Sequence, residues 1–222
     1  MGNTVGGVGV LDKAVDVLDA LEAQPRSLSE LVVATGLPRA TAHRLATALE
    51  HHGLVRRDAE GRFMLGTRLL SLGQAASETW PLAASAEAPL ATLRNETGES
   101  VQLFVRDGDE RVCIAALQSL HGLRTIVPLG ARLPLSVGSA ARVLTTLPGK
   151  PPGWLASVGE REAGVASVSA PVCDSSGRVV AAVSVSGPIE RTTRAPGKRY
   201  GPFVANAARQ IEITAGLRSL EQ

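Results

Sequence analysis

The sequence predicts an α+β chain in two parts, a winged helix-turn-helix followed by a domain built on an antiparallel sheet. Three observations carry that prediction. Two short helical stripes are broken at Gly36-Leu37-Pro38 and followed by a tight hairpin pattern ending at Leu65. Helical spacing resumes from Thr67 to Glu96, and from Ser100 the hydrophobic period changes to two. At 222 residues the chain is long enough for two modest cores.

Met1 to Gly9 is glycine-rich and aperiodic, and disorder is expected there. Val10 to Ala23 reads as a helix with Leu11, Ala14, Val15, Leu18 and Leu21 on one stripe. Its aspartates, Asp12, Asp16 and Asp19, should face away from nucleic acid, and its stripe offers a dimer contact. Ser27 and Glu30 stand three apart, as a capping box requires, and open a helix whose stripe is Leu28, Leu31 and Val32. Gly36 suits the left-handed stop of that helix, and Pro38 the first turn of the next.

In that next helix Leu45, Ala48 and Leu49 are expected to point inward. Arg39, Thr41, Ala42, His43 and Arg44 crowd its amino-terminal turns, the part of a helix that reaches base edges in a major groove. Ser27, Pro38 and Ala40 complete the expected contact set on this side. Leu54 to Arg57 and Arg62 to Leu65 flank the turn Asp58-Ala59-Glu60-Gly61 as a wing, which adds Arg56, Arg57 and Arg62. From Pro38 to Arg68 six arginines face three carboxylates, Glu50, Asp58 and Glu60, although the whole chain carries only +2. Any nucleic-acid contact must therefore come from this patch, where arginine suits phosphate through paired hydrogen bonds.

These signals place a DNA-binding domain at residues 1–66, a linker helix at 67–81 and a second domain at 82–222. The linker helix carries Leu69, Leu70, Leu72 and Ala76, and Leu82 to Glu96 continues as a further helix ending at Thr97-Gly98. Val101 to Val105 and Arg111 to Leu117 read as a hairpin around Asp107-Gly108-Asp109-Glu110, with Leu123 to Val127 as a third strand. Ser139 to Thr146 is a short helix, and the Pro/Gly run 148–153 breaks the pattern. Val165 to Val172 and Val179 to Ser186 pair around Asp174-Ser175-Ser176-Gly177, and Pro202 to Leu220 closes the chain as a helix.

Cys113 and Cys173 lie far apart, outside any CxxC or CxxH spacing, and the four histidines are scattered, so neither a metal nor a cofactor is expected. No run of about eighteen apolar residues and no charged leader is present, which predicts a cytoplasmic protein without a membrane partner.

Three segments resemble the IclR-type bacterial transcriptional regulators: GLPRATAHRLATALEHHGLVRRD with GRFMLGTRLL, then LPLSVGSAARVL, then SVGEREAGVASVSAPVCDSSGRVVAAVSVSGPIER. The resemblance implies a winged helix-turn-helix joined by a helix to a GAF-like effector domain, bound to a double-stranded operator as a homodimer or dimer of dimers. The opening GVGVLDKAVDVLDALE and the phrase TAHRLATALEHHG look most like actinobacterial members that control leucine and other amino-acid biosynthesis. By the same resemblance the effector, an amino acid or keto acid, would meet Thr125, Ser139, Ala140, Ser157, Ser167, Ser184 and Ser186. Two departures stand out. Ser136-Val137-Gly138 replaces the family's His-Ala-Thr, and the segment between Thr146 and Trp154 is shorter than usual.

The function these readings favour is a metabolite-modulated DNA-binding regulator. The alternatives are an enzyme with a cysteine or serine nucleophile in the C-terminal domain, and a ligand-binding dimerisation module. No GxSxG elbow surrounds any serine, so no catalytic residue is assigned.

Overall fold

The computed structural model describes residues 9–78, 80–147 and 153–218. They divide into two compact units, Met1–Ala76 and Ser77–Gln222, each with its own core. The disorder expected for residues 1–8, the run 148–152 and the last two residues of the expected closing helix, 219 and 220, lie outside the described residues.

In the first unit α1 (Gly9–Glu22), α2 (Leu28–Thr35) and α3 (Arg39–His51) precede a hairpin of β1 (Val55–Arg57) and β2 (Phe63–Leu65). Ser27 caps α2: its Oγ accepts from the Glu30 amide at 3.3 Å, while the Glu30 carboxylate accepts from the Ser27 amide at 2.7 Å. Gly36, at φ 67°, ends α2, and α3 starts one residue after Pro38. Val17, Leu21, Leu31, Ala42, Ala46, Leu49, Val55 and Phe63 form the core. Two expected faces are rotated. Leu11 and Val15 of α1 are 61% and 52% exposed while Val17 is buried, and on α3 Ala42 and Ala46 turn inward while Ala48 is exposed. Positions 42, 46 and 49 follow the 3.6 period, and alanine lets α3 approach its neighbours closely without marking its face by size. The hairpin gains a third strand-like partner, because the Arg26 and Phe63 amides and carbonyls bond reciprocally at 2.8 and 2.7 Å.

Gly66 closes this unit. A side-chain carbon there would sit 2.1 Å from the Gly53 carbonyl oxygen, and the Gly66 amide bonds to Leu54 O at 2.8 Å. α4 (Arg68–Glu78) follows directly, with the Arg68 guanidinium donating to His52 O at 3.0 Å. The end of α3 and the start of α4 are thereby fixed to each other.

The second unit begins with α5 (Pro81–Thr97) and carries a six-stranded sheet of order β5-β4-β3-β8-β7-β6, antiparallel at every neighbouring pair. Its strands are β3 (Ser100–Asp107), β4 (Glu110–Leu117), β5 (Arg132–Pro134), β6 (Leu155–Val158), β7 (Val165–Cys173) and β8 (Val179–Pro188). Period-two alternation sorts their side chains. Val101, Leu103, Val168, Ala170, Val183 and Val185 pack with Leu90 and Leu93 of α5 and with Val204 and Ile211 of α8 (Pro196–Thr214). Phe104, Cys113 and Ala182 meet α6 (Ser139–Leu144) through Ala140, Val143 and Leu144. A single turn, α7 (Ile189–Thr192), links β8 to α8.

Leu123 to Val127 is not a strand. Thr125 and Val127 are buried and Leu123 and Ile126 exposed, so the alternation is real, but among the described residues the segment pairs with no strand, and the third strand of this edge is Arg132–Pro134. Alternation reports one-sided burial, which an irregular segment lying over a sheet also produces. α8 starts at Pro196 rather than Pro202, which sits inside the helix; Tyr200 and Gly201 before it are buried, and a side-chain carbon on Gly201 would sit 2.3 Å from the indole of Trp154.

Candidate functional site

On the first unit the amino-terminal turns of α3 are open: Pro38, Arg39, Ala40, His43 and Arg44 are exposed and Thr41 is half-buried. Ala42 is fully buried and therefore cannot read a base, so the expected reader at that position is a core residue. Ser27 spends its hydroxyl on the α2 cap.

The arginines fall into two groups. Arg57 donates to both carboxylate oxygens of Glu50 at 3.2 Å and lies 4.1 Å above the Phe63 ring. Arg62 pairs with Asp58 at 2.7 Å and Glu60 at 3.3 Å. These pairs consume all three carboxylates of the patch. Arg39 donates to Ser29 Oγ at 3.2 Å, whereas Arg44 and Arg56 have no hydrogen-bond or ionic partner among the described residues. The excess positive charge therefore resides on α3 and β1, not at the wing tip. An exposed, unpaired guanidinium at the start of a helix is suited to base edges or phosphate.

The second unit holds a cavity of about 40 Å³ between the sheet and α6. Six of the seven residues expected at an effector site line it: Ser139, Ala140, Ser157, Ser167, Ser184 and Ser186. The seventh, Thr125, is not among its lining; its buried hydroxyl has no partner among the described residues. Strand register brings the serines together, since Ser167 lies opposite both Ser157 and Ser186, and Ser169 opposite Ser184. The alternating Ser-Val phrases of β7 and β8 put the valines in the core and the hydroxyls on the cavity side. Ser139 Oγ bonds Ser167 and Ser169 at 2.8 Å, Ser169 donates to Ser184 at 3.0 Å, and Ser186 donates to Gln102 Oε1 at 3.1 Å. Such a relay can turn its protons to donate or accept.

Gln102, Phe104, Arg111 and Arg161 also line the cavity and were not found from the sequence. Ser169 was missed too, though the S-V-S spacing pointed to it. Arg111 is 3% exposed, with its Nη1 donating to the carbonyls of Pro134 and Val137 and its Nε without a partner among the described residues. Burial, with the nearby Arg161 charge, pulls its guanidinium down to about 10.

Neither cysteine is activated. Burial pushes the Cys113 thiol up to about 12, and burial with the Glu212 and Asp174 charges pushes Cys173 up to about 11, so both stay protonated at neutral pH. No histidine lines the serine cavity. Among the described residues no cluster of three or more His, Cys, Asp or Glu side chains is arranged to hold a metal, and no helix is long and apolar enough to cross a membrane.

Two family models match this chain. The IclR helix-turn-helix domain matches residues 10–59, and the C-terminal domain of the bacterial transcriptional regulator IclR matches residues 74–151 and 149–213, two pieces that overlap at residues 149–151. The transcriptional repressor AllR of Escherichia coli strain K12 is 26% identical over 250 aligned residues, covering 96% of this chain and 92% of AllR. The transcriptional regulator KipR of Bacillus subtilis strain 168 is 36% identical over 123 residues, 55% of this chain and only 49% of KipR, about half that relative's length. In fold the chain is similar to the IclR of Thermotoga maritima (TM-score 0.72, 22% identity, 94% of this chain and 99% of that one). It is likewise similar to an IclR homologue of Microbacterium hydrocarbonoxydans solved with 4-hydroxybenzoate (TM-score 0.79, 20% identity, 94% and 100%).

Proposed function

From the premise that the chain belongs to the IclR family of bacterial DNA-binding transcriptional regulators and is not an enzyme, we propose that a small metabolite bound among the serines of its second unit sets its affinity for an operator. The observation that carries this reading is the coexistence, in one chain, of the unpaired Arg44 on an open recognition helix and a serine-lined cavity beneath α6. Arg39, Thr41, His43 and Arg44 read bases in this account, with Ser27, Pro38 and Ala40 beside them on the duplex and Arg56, Arg57 and Arg62 on the phosphate backbone.

The effector is a small organic acid, an amino acid or keto acid, and the regulated genes belong to amino-acid biosynthesis, leucine among them. The reading places the protein in the cytoplasm as a homodimer or dimer of dimers. Exposed Val10, Leu11 and Val15 on α1 supply an apolar face that favours self-association.

The test is operator affinity measured with and without a panel of amino acids and keto acids, on the wild type and on Ser184→Ala. One member of the panel should shift operator affinity severalfold, and by linkage the operator should shift that ligand's affinity by the same factor. Ser184→Ala should lose about two- to tenfold in ligand affinity, the worth of one hydrogen bond between neutral groups. A panel that leaves operator affinity unchanged would remove the metabolite from this account.

A further inference from the structure

Charge divides unevenly around the serine cavity. Its lining contains two cations, Arg111 and Arg161, and one carboxylate, Glu162, which pairs with Arg161 at 3.5 Å. Arg111 is left with carbonyl acceptors alone, no carboxylate partner among the described residues, and the face of Phe104 at 5.5 Å. A buried charge without a counter-charge is costly and is ordinarily paired.

At the other place where an anion would be expected, the start of α6, the leading amide, that of Gly138, is already taken. The Gly138 amide donates to Glu160 Oε2 at 3.1 Å, and Glu160 is held there by Arg142 at 3.3 Å. The Arg111 guanidinium lies beside that same glycine, 3.5 Å from where a side-chain carbon would stand.

We propose that Arg111, rather than the start of α6, holds the anionic end of the ligand, and that the ligand is a small carboxylate whose other end bears a hydroxyl or carbonyl group. This rests on reading the cavity as the effector site. The carboxylate accepts from Arg111, and the hydroxyl or carbonyl oxygen meets the Ser139, Ser184 and Ser186 hydroxyls, which donate or accept as needed. The cavity's 40 Å³ is room for roughly three water molecules, which limits the ligand to a short-chain acid.

The test uses the full chain labelled with nitrogen-15, titrated separately with lactate, lactamide and inorganic phosphate while the Arg111 Nε and the Gly138 and Ala140 amide signals are followed. Lactate should move these signals saturably, and lactamide and phosphate should not. Arg111→Gln should weaken lactate binding about ten- to a hundredfold; should that variant fail to fold, the contrast between lactate and lactamide in the wild type decides alone. Equal binding of lactate and lactamide, preference for phosphate, or undiminished binding by a folded Arg111→Gln would overturn the anchor while leaving the cavity as the effector site. If none of the three probes moves any cavity signal, the cavity reading and the anchor fall together.

Discussion

At the scale of single residues, pairing decides which arginines are available to DNA. Arg57 and Arg62 are neutralised by Glu50, Asp58 and Glu60, while Arg44 and Arg56 are not. We expect Arg44→Ala to cost about 1–3 kcal/mol on a preferred duplex and less on random DNA, because it removes a base reader. Arg56→Ala should weaken both alike and lower the slope of log affinity against log salt by about 0.9, one phosphate contact. Arg62→Ala should also weaken both alike but by less than Arg56→Ala, because Asp58 and Glu60 already offset its charge. Equal losses for Arg56→Ala and Arg62→Ala, measured by fluorescence anisotropy at several salt concentrations, would contradict this division. The count of arginines was legible in the sequence. Their pairing was not, since it depends on hairpin register and on the turn of α3 that brings Glu50 to Arg57.

The cysteines give a second test at this scale. With thiols near 12 and 11, the native protein at pH 8 should react with a thiol reagent at least about a hundredfold more slowly than free cysteine, because only the thiolate attacks. Both should react promptly once the chain is unfolded. A fast-reacting native thiol would reopen the nucleophile reading.

At the scale of elements, local signals specify helix ends well and faces less well. The Ser27–Glu30 capping box and the Gly36 stop were readable because each is chemistry within a few residues. The inward faces of α1 and α3 were misplaced, since alanine fits core and surface alike and the exposed Leu11 and Val15 mimic a buried stripe. Ser27→Ala should lower the stability of the first unit by about 1 kcal/mol, the usual worth of a lost cap. Gly66→Ala should cost about 3 kcal/mol or more, as added bulk in a tightly packed place does, because its new carbon would collide with the Gly53 carbonyl and part α4 from α3. Thermal unfolding of the two variants checks the order. A Gly66→Ala protein as stable as the wild type would mean that the joint between α3 and α4 is loose.

At the scale of the whole molecule, the two-part architecture and the strand alternation were legible because each reports a period, and a period survives without knowledge of partners. The cavity was only half legible. Its serines stand out in the S-V-S phrases of β7 and β8, but Arg111 reads as an ordinary hairpin residue on β4. What buries it, the carbonyls of Pro134 and Val137 and the neighbouring Gly138, arrives more than twenty residues later in the chain. Thr125 was misjudged for the complementary reason: the irregular segment carrying it buries its hydroxyl away from the cavity lining.

The central claim is that this chain recognises a particular duplex through α3. Selection from a random duplex library by the purified protein, followed by sequencing of the bound fraction, addresses it directly. The account predicts enrichment of one inverted-repeat motif, with half-sites spaced by about one helical turn or a multiple of it, and loss of that enrichment in Arg44→Ala. A bound fraction with no enriched motif, or a motif that Arg44→Ala selects as strongly as the wild type, would contradict it.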